Sequence, residues 1–247
     1  VRVGLFVACL TDTVFPETGR AAVRLLRRLG CTVVYPQEQT CCGQAHHTSG
    51  YRREASGLAA RFAEVFDGCE LVVTPSASCA AMVRDHYPAL AAREPRIARA
   101  PRTLELTEFL VDVLGVTDVG ASFPHRVAYH PACQALRSLR TGDRPLRLLR
   151  EVRGLELVEL PGAEDCCGFG GAFAWKNADT SVAMVADKVR RIGGSGAEVV
   201  CSDDDACLMQ IGGALSRLRG GVRAVHLAEI LAETASAPAG RPARTRR

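Results

Sequence analysis

Eight of the eleven cysteines form two series that can be laid on one another. Cys9, Cys41, Cys42 and Cys79 are matched by Cys133, Cys166, Cys167 and Cys207 at offsets of 124, 125, 125 and 128 residues, and both vicinal pairs run into glycine, as Cys41-Cys42-Gly43 and Cys166-Cys167-Gly168. A nearly constant offset over half the chain means that one structural unit is used twice, so any fold for this sequence must be built from two copies.

The order of elements agrees between the copies. Each opens on an apolar run (residues 3–8 and 127–130) that delivers a cysteine at or just past the end of a strand. A helix follows, carrying Ala22, Leu25, Leu26 and Leu29 and stopped by Gly30 in the first copy; in the second it opens at Pro145, carries Leu148, Leu149 and Val152 and closes at Gly154. Second strands (32–35 and 155–160) lead into the vicinal pairs. Further helices present Leu58, Phe62, Val65 and Phe66, or Val182, Val185, Val189 and Ile192, and third strands (70–74 and 198–201) lead to Cys79 and Cys207.

Strands alternating with helices imply an α/β fold: two tandem related units with parallel sheets, helices on their faces, and the cysteine loops at the C-terminal ends of strands. Open parallel sheets place ligands at that edge. The expected boundaries are a first repeat over 1–115 closed by a helix over 104–114, a linker over 116–124, and a second repeat over 125–234. That second repeat ends in a strand (222–226) and a helix (227–231), and a disordered basic tail covers 235–247.

Arg241, Arg244, Arg246 and Arg247 account for the net charge of +4, which leaves the rest near neutrality and argues against nucleic acid as a partner. No apolar run is long enough to span a bilayer, and no export signal opens the chain, so the expected location is the cytoplasm. In that compartment clustered thiols are read as ligands or redox groups in preference to disulfides.

Thiolates select zinc, copper(I) or iron–sulfur clusters. Adjacent cysteines suit a multinuclear cluster better than a zinc ion, whose pairs usually have at least two residues between the sulfurs. The glycine after each pair allows close approach and N–H donation to sulfur. Structural zinc, a vicinal disulfide switch and plain buried thiols are the rival readings. Cys31 and Cys69 have no counterpart in the other copy and read as core residues, whereas Cys201, at a strand end, is a candidate extra ligand. His130, three residues before Cys133, is placed to bond a sulfur or donate a proton. His46 and His47 follow the first pair closely enough to shield it, and His226 reads as structural.

With these residues in view, the chain resembles the cysteine-rich, or CCG-domain, iron–sulfur proteins, and within them the lactate utilization protein A group. The resemblance rests on Thr74-Pro-Ser-Ala-Ser-Cys-Ala-Ala-Met-Val-Arg-Asp-His-Tyr-Pro88, Tyr129-His-Pro-Ala-Cys-Gln-Ala-Leu-Arg137, Cys166-Cys-Gly-Phe-Gly-Gly-Ala-Phe173 and Cys207-Leu-Met-Gln-Ile-Gly-Gly213. Similar domains occur in heterodisulfide reductase and in the iron–sulfur subunits of glycolate and glycerol-3-phosphate oxidising enzymes.

The resemblance implies an electron-transfer subunit of a complex that oxidises L-lactate to pyruvate, working with a ferredoxin-type iron–sulfur subunit and other proteins of that complex. It implies a 4Fe-4S cluster, cubane or non-cubane, held by Cys133, Cys166, Cys167 and Cys207, and another by Cys9, Cys41, Cys42 and Cys79. The chain has no Cys-x2-Cys-x2-Cys-x3-Cys run and no Gly-x-Gly-x-x-Gly after a strand, so ferredoxin-type clusters and a nucleotide cofactor would belong to partners. In the fuller family pattern a cysteine stands where this chain has Ser76 and Asp204, and a histidine often stands at Gln134. The alternatives are a heterodisulfide-reductase-like thiol/disulfide oxidoreductase subunit and a redox-sensing protein with a structural metal.

Overall fold

The structure is a computed structural model, described here for residues 1–234. Eight short strands form two four-stranded sheets, every pairing parallel: β1 (Arg2–Leu5), β2 (Thr32–Val34), β3 (Leu71–Thr74) and β4 (Arg102–Glu105) in the order β2-β1-β3-β4, and β5 (Arg126–His130), β6 (Glu156–Val158), β7 (Val199–Ser202) and β8 (Arg223–His226) in the order β6-β5-β7-β8. The tandem α/β architecture expected from the cysteine repeat is therefore present.

Side-chain alternation along the strands decides what each sheet face covers. Val3 and Leu5 of β1 and Val199 and Cys201 of β7 turn into one core shared by both repeats. That core also takes Ala22, Leu25 and Leu26 of helix Pro16–Arg28, Leu148 and Leu149 of helix Arg144–Arg150, and Leu227 to Ala232 of the last helix. The opposite faces are covered separately: Phe6 and Val72 pack under helix Arg52–Val65, and Ala128 and Val200 under helix Ala178–Gly194. Two sheets thus sandwich a common helical layer, and Arg28 fastens it by donating to the carbonyls of Val119, Leu231 and Ala232. Val119, Ala121 and Phe123 of the connecting segment are buried in the same core.

Three expectations change. The helix expected over 104–114 begins later, because Arg102–Glu105 pairs with β3 as a fourth strand; Glu105 then caps a helical turn, Leu106–Glu108, that widens into a π turn, Phe109–Val113. Leu106, Phe109, Leu110 and Val113 fit a helical spacing, but the strand before them is too short for its own period to stand out. Val182, expected on the core face of its helix, is exposed, while Val185, Val189 and Ile192 are buried. Cys201 points into the shared core, on the face away from the other thiols. The basic tail lies outside the described residues.

Candidate metal centre

In each sheet the chain leaves β1 (or β5) for a neighbour on one side and returns to β3 (or β7) on the other, with the two connecting helices on opposite faces. The crevice beyond the carboxyl ends of the two central strands is the switch point at which doubly wound sheets hold ligands. Cys9 follows β1 and Cys79 follows β3, and the loop after β2 brings Cys41 and Cys42 to meet them. Cys133, Cys207, Cys166 and Cys167 do the same after β5, β7 and β6.

Sulfur meets sulfur in each set: Cys9 Sγ donates to Cys41 Sγ over 3.6 Å. In the second repeat Cys167 Sγ donates to Cys207 Sγ over 3.4 Å. All eight are free thiols; Cys42, Cys79, Cys167 and Cys207 are buried and the others reach solvent in part or fully. Bonds from its neighbours, Cys42 before Cys9, draw the Cys41 thiol far below its ordinary range, and bonds from Cys133 and then Cys167 do the same for Cys166. Their S–H donors are pushed the other way: Cys9 and Cys133 chiefly by those bonds, then by burial. Cys41 and Cys166 are thus the thiols of each set that give up a proton most readily, and a soft cation would displace the remaining protons.

Backbone geometry explains the glycine that follows each pair. Gly43 and Gly168 sit at φ +85° and +86°, and their N–H groups point at Cys41 Sγ and Cys166 Sγ, each over 3.3 Å. A Cβ would stand 3.2 Å from the Ala55 carbonyl oxygen in the first loop and 2.8 Å from that of Ser181 in the second. The loop can turn its N–H onto the sulfur only without a side chain. The two loops also approach each other, a Cβ on Gly171 lying 3.9 Å from Ala45.

These contacts pair helix positions between the repeats. Gly43 faces Ala55 and Leu58 where Gly168 faces Ser181 and Met184, so Phe62 corresponds to Lys188; the strand register makes Phe6 the counterpart of His130. Behind the first thiols Phe6 and Phe62 meet edge to face at 5.0 Å. Behind the second, buried Lys188 donates to the Gly162 and Ala163 carbonyls at 2.6 and 3.1 Å, and His130 Nδ1 lies 3.1 Å from the same Ala163 oxygen. Burial, followed by the nearby Lys188 charge, lowers His130 to about 4, so the ring is neutral with its proton on Nδ1. His130, Cys167 and Cys207 present donor atoms within 4.8 Å of one another. His46 is exposed, and His47 stacks on His86 at 4.4 Å, a contact the sequence does not announce. His226 caps the last helix through Nδ1, which accepts from Ala228 N.

The donor chemistry suits a thiophilic metal group: four thiols per site, a backbone N–H donor on one thiol of each, and an apolar or basic backing. The cysteine-rich domain family matches residues 3–84 and again 127–212, once per repeat. Curated relatives called lactate utilization protein A align over nearly their full length. That of an Exiguobacterium species is 48% identical over 94% of this chain and 97% of its own, that of Geobacillus kaustophilus 46% over 94% and 98%, and that of Bacillus subtilis 44% over 94% and 99%. The chain belongs to the lactate utilization protein A family. Within this family of two cysteine-rich domains, no helix among the described residues is long and apolar enough to cross a membrane.

Proposed function

We propose that the protein is an iron–sulfur electron-transfer subunit of a lactate-oxidising system. The observation that carries this reading is the pair of four-thiol groups, each at the switch point of its own sheet, with a glycine N–H aimed at one sulfur of each. Cys9, Cys41, Cys42 and Cys79 would hold one 4Fe-4S cluster and Cys133, Cys166, Cys167 and Cys207 the other. A bound cluster supplies one-electron transfer, which thiols alone do not.

The chain's own residues do the rest. Gly43 and Gly168 donate to sulfur, the αL loops hold the vicinal pairs open at the edge, and Lys188 offsets negative charge behind the second site. The relatives' name supports lactate as the electron source. A ferredoxin-type partner would pass the electrons on, and the cytoplasm is the compartment in which such thiols stay reduced.

Anaerobic purification followed by iron, sulfide and zinc analysis and electron paramagnetic resonance tests this reading. Iron and sulfide in both sites, each lost separately in Cys41→Ala and Cys166→Ala, are expected. Stoichiometric zinc without sulfide would sink it. A deletion strain that still grows normally on L-lactate would remove the lactate assignment while leaving the cluster intact.

A further inference from the structure

A second group of buried ionisable residues lies where the repeats meet. Glu105, at the end of β4, is fully buried; its Oε2 accepts from Thr107 N and Oγ1 at 2.7 and 2.5 Å, while Oε1 has no hydrogen-bond partner among the described residues. Asp203, just past β7, is also fully buried; its carbonyl oxygen accepts from Ala77 N at 3.3 Å, three residues past Thr74, which pairs with Glu105, and its charge acts on Glu105. Asp203 Oδ2 accepts from Tyr129 OH at 2.8 Å, and Oδ1 accepts from Ala132 N at 2.9 Å, one residue before Cys133. The first repeat has Pro75 at the corresponding step, so this acid serves the second thiol site alone.

Among the described residues no free cation faces the pair. Arg84 is committed to both oxygens of Glu108, the acid nearest Glu105 on its own turn. Facing Asp203 are Tyr129 from β5, Cys201 and Asp204 from its own segment, and His226 from β8, whose Nε2 is buried and unpartnered. Two buried carboxylates without an ion-pair partner settle more readily as one charge and one neutral acid than as two charges. Burial first, then Asp203, pushes Glu105 up to about 8, and burial pushes Asp203 up to about 6.

Beyond the pair, polar groups run toward the surface: Asp205, two residues after Asp203, accepts at Oδ1 from Thr18 Oγ1 at 3.1 Å, Thr18 reaches Glu229 Oε1 at 3.4 Å, and Glu229 is half-buried.

We propose that Glu105 and Asp203 are the proton-accepting pair of the second thiol site. This rests on the cluster reading of that site. When a one-electron donor, an iron–sulfur partner or dithionite in the test, adds an electron to the second site, one solvent proton adds to the ionised carboxylate of the pair and forms an O–H bond. No bond to sulfur breaks, net buried charge is unchanged, and reoxidation returns the proton. The first site, lacking the acid, carries electrons without protons.

The test is a potentiometric titration of the iron-loaded protein, followed by electron paramagnetic resonance from pH 6 to 9, with the second-site signal identified by its loss in Cys166→Ala. The expected result is a second-site potential that falls with pH, approaching a tenfold change in equilibrium constant per pH unit, about 59 mV for one electron. The first-site potential stays level. Glu105→Gln and, independently, Asp203→Asn flatten the slope, and an infrared carboxyl band that appears on reduction is lost in the same variants. Full iron loading with two level potentials, or a slope that survives in both variants, overturns the inference alone. Absence of iron overturns the cluster reading and the inference with it.

Discussion

Ser76 Oγ donates to Asp204 Oδ2 over 3.1 Å, joining the two residues that occupy the same step of the two repeats. Each also caps its own helix: Ser76 Oγ accepts from Cys79 N at 3.2 Å, and Asp204 Oδ1 accepts from Ala206 N at 2.9 Å. Asp204 Oδ2 further accepts from Ser78 N at 2.8 Å, so one carboxylate holds the start of both helices that carry a site's last cysteine. At these two steps the chain has a hydrogen bond that ties the sites together.

Asp204→Ala removes the cap of helix Asp205–Arg217 and leaves Ser78 N–H, half-buried in the first turn of helix Ala77–Ala81, unpaired. A lost cap and an orphaned donor together cost about 2–4 kcal/mol. Urea denaturation should show this as a lower midpoint with an unchanged slope. A loss below about 0.5 kcal/mol, the range of ordinary surface changes, would mean the bridge is dispensable.

Lys188→Met tests the difference between the two backings. The ammonium stands where the first repeat has Phe62, and its charge is felt by Cys167 and Cys207. Removing it leaves negative charge at the second site less compensated, so the second-site potential should move negative while the first stays put. Equal shifts of both signals, or no shift with iron retained, would show that the lysine only packs.

The cysteine offsets made the duplication, the parallel sheets and the grouping of four thiols legible, because strand, helix and loop recur in the same order around Cys9 and Cys133. The acids were not legible. Asp203, Asp204 and Asp205 read as a polar loop, and their burial follows from Thr11, Thr18, Ser76 and Ala77 of the other repeat closing over them. Lys188 falls on a helix position that period alone assigns to the core, and only the Gly162 and Ala163 carbonyls explain a lysine there. The reading of Cys201 failed for a simpler reason: strand alternation turns it away from the edge on which its neighbours open.

Gly168→Ala should be costlier than Gly43→Ala. Both force alanine to a left-handed φ, about 1–2 kcal/mol. At Gly168 the new methyl also meets the Ser181 carbonyl oxygen at 2.8 Å, against 3.2 Å from Ala55 at Gly43. Backbone crowding of that kind adds about 1–3 kcal/mol. Thermal denaturation of both variants should rank them in that order; equal melting temperatures would mean that the second loop relaxes freely.

Stability should fall as pH rises from about 4.5 to about 8, and Glu105 should be a principal cause. In the unfolded chain the Glu105 carboxyl titrates near the ordinary value of 4.5, whereas burial raises it to about 8 in the fold. Between those values the folded state binds more protons than the unfolded one, so unfolding free energy declines with rising pH. The contribution is fully present below the unfolded value and is lost as pH climbs through the folded one. Asp203 acts in the same direction over a lower window, from its ordinary value of 3.8 to about 6. Glu105→Gln keeps the shape and removes the titration, so its melting temperature should decline less than that of the wild type between pH 5 and pH 9. If the two curves run parallel across that range, Glu105 is ionised in the folded protein and draws its compensation from a group other than the neighbours seen around it.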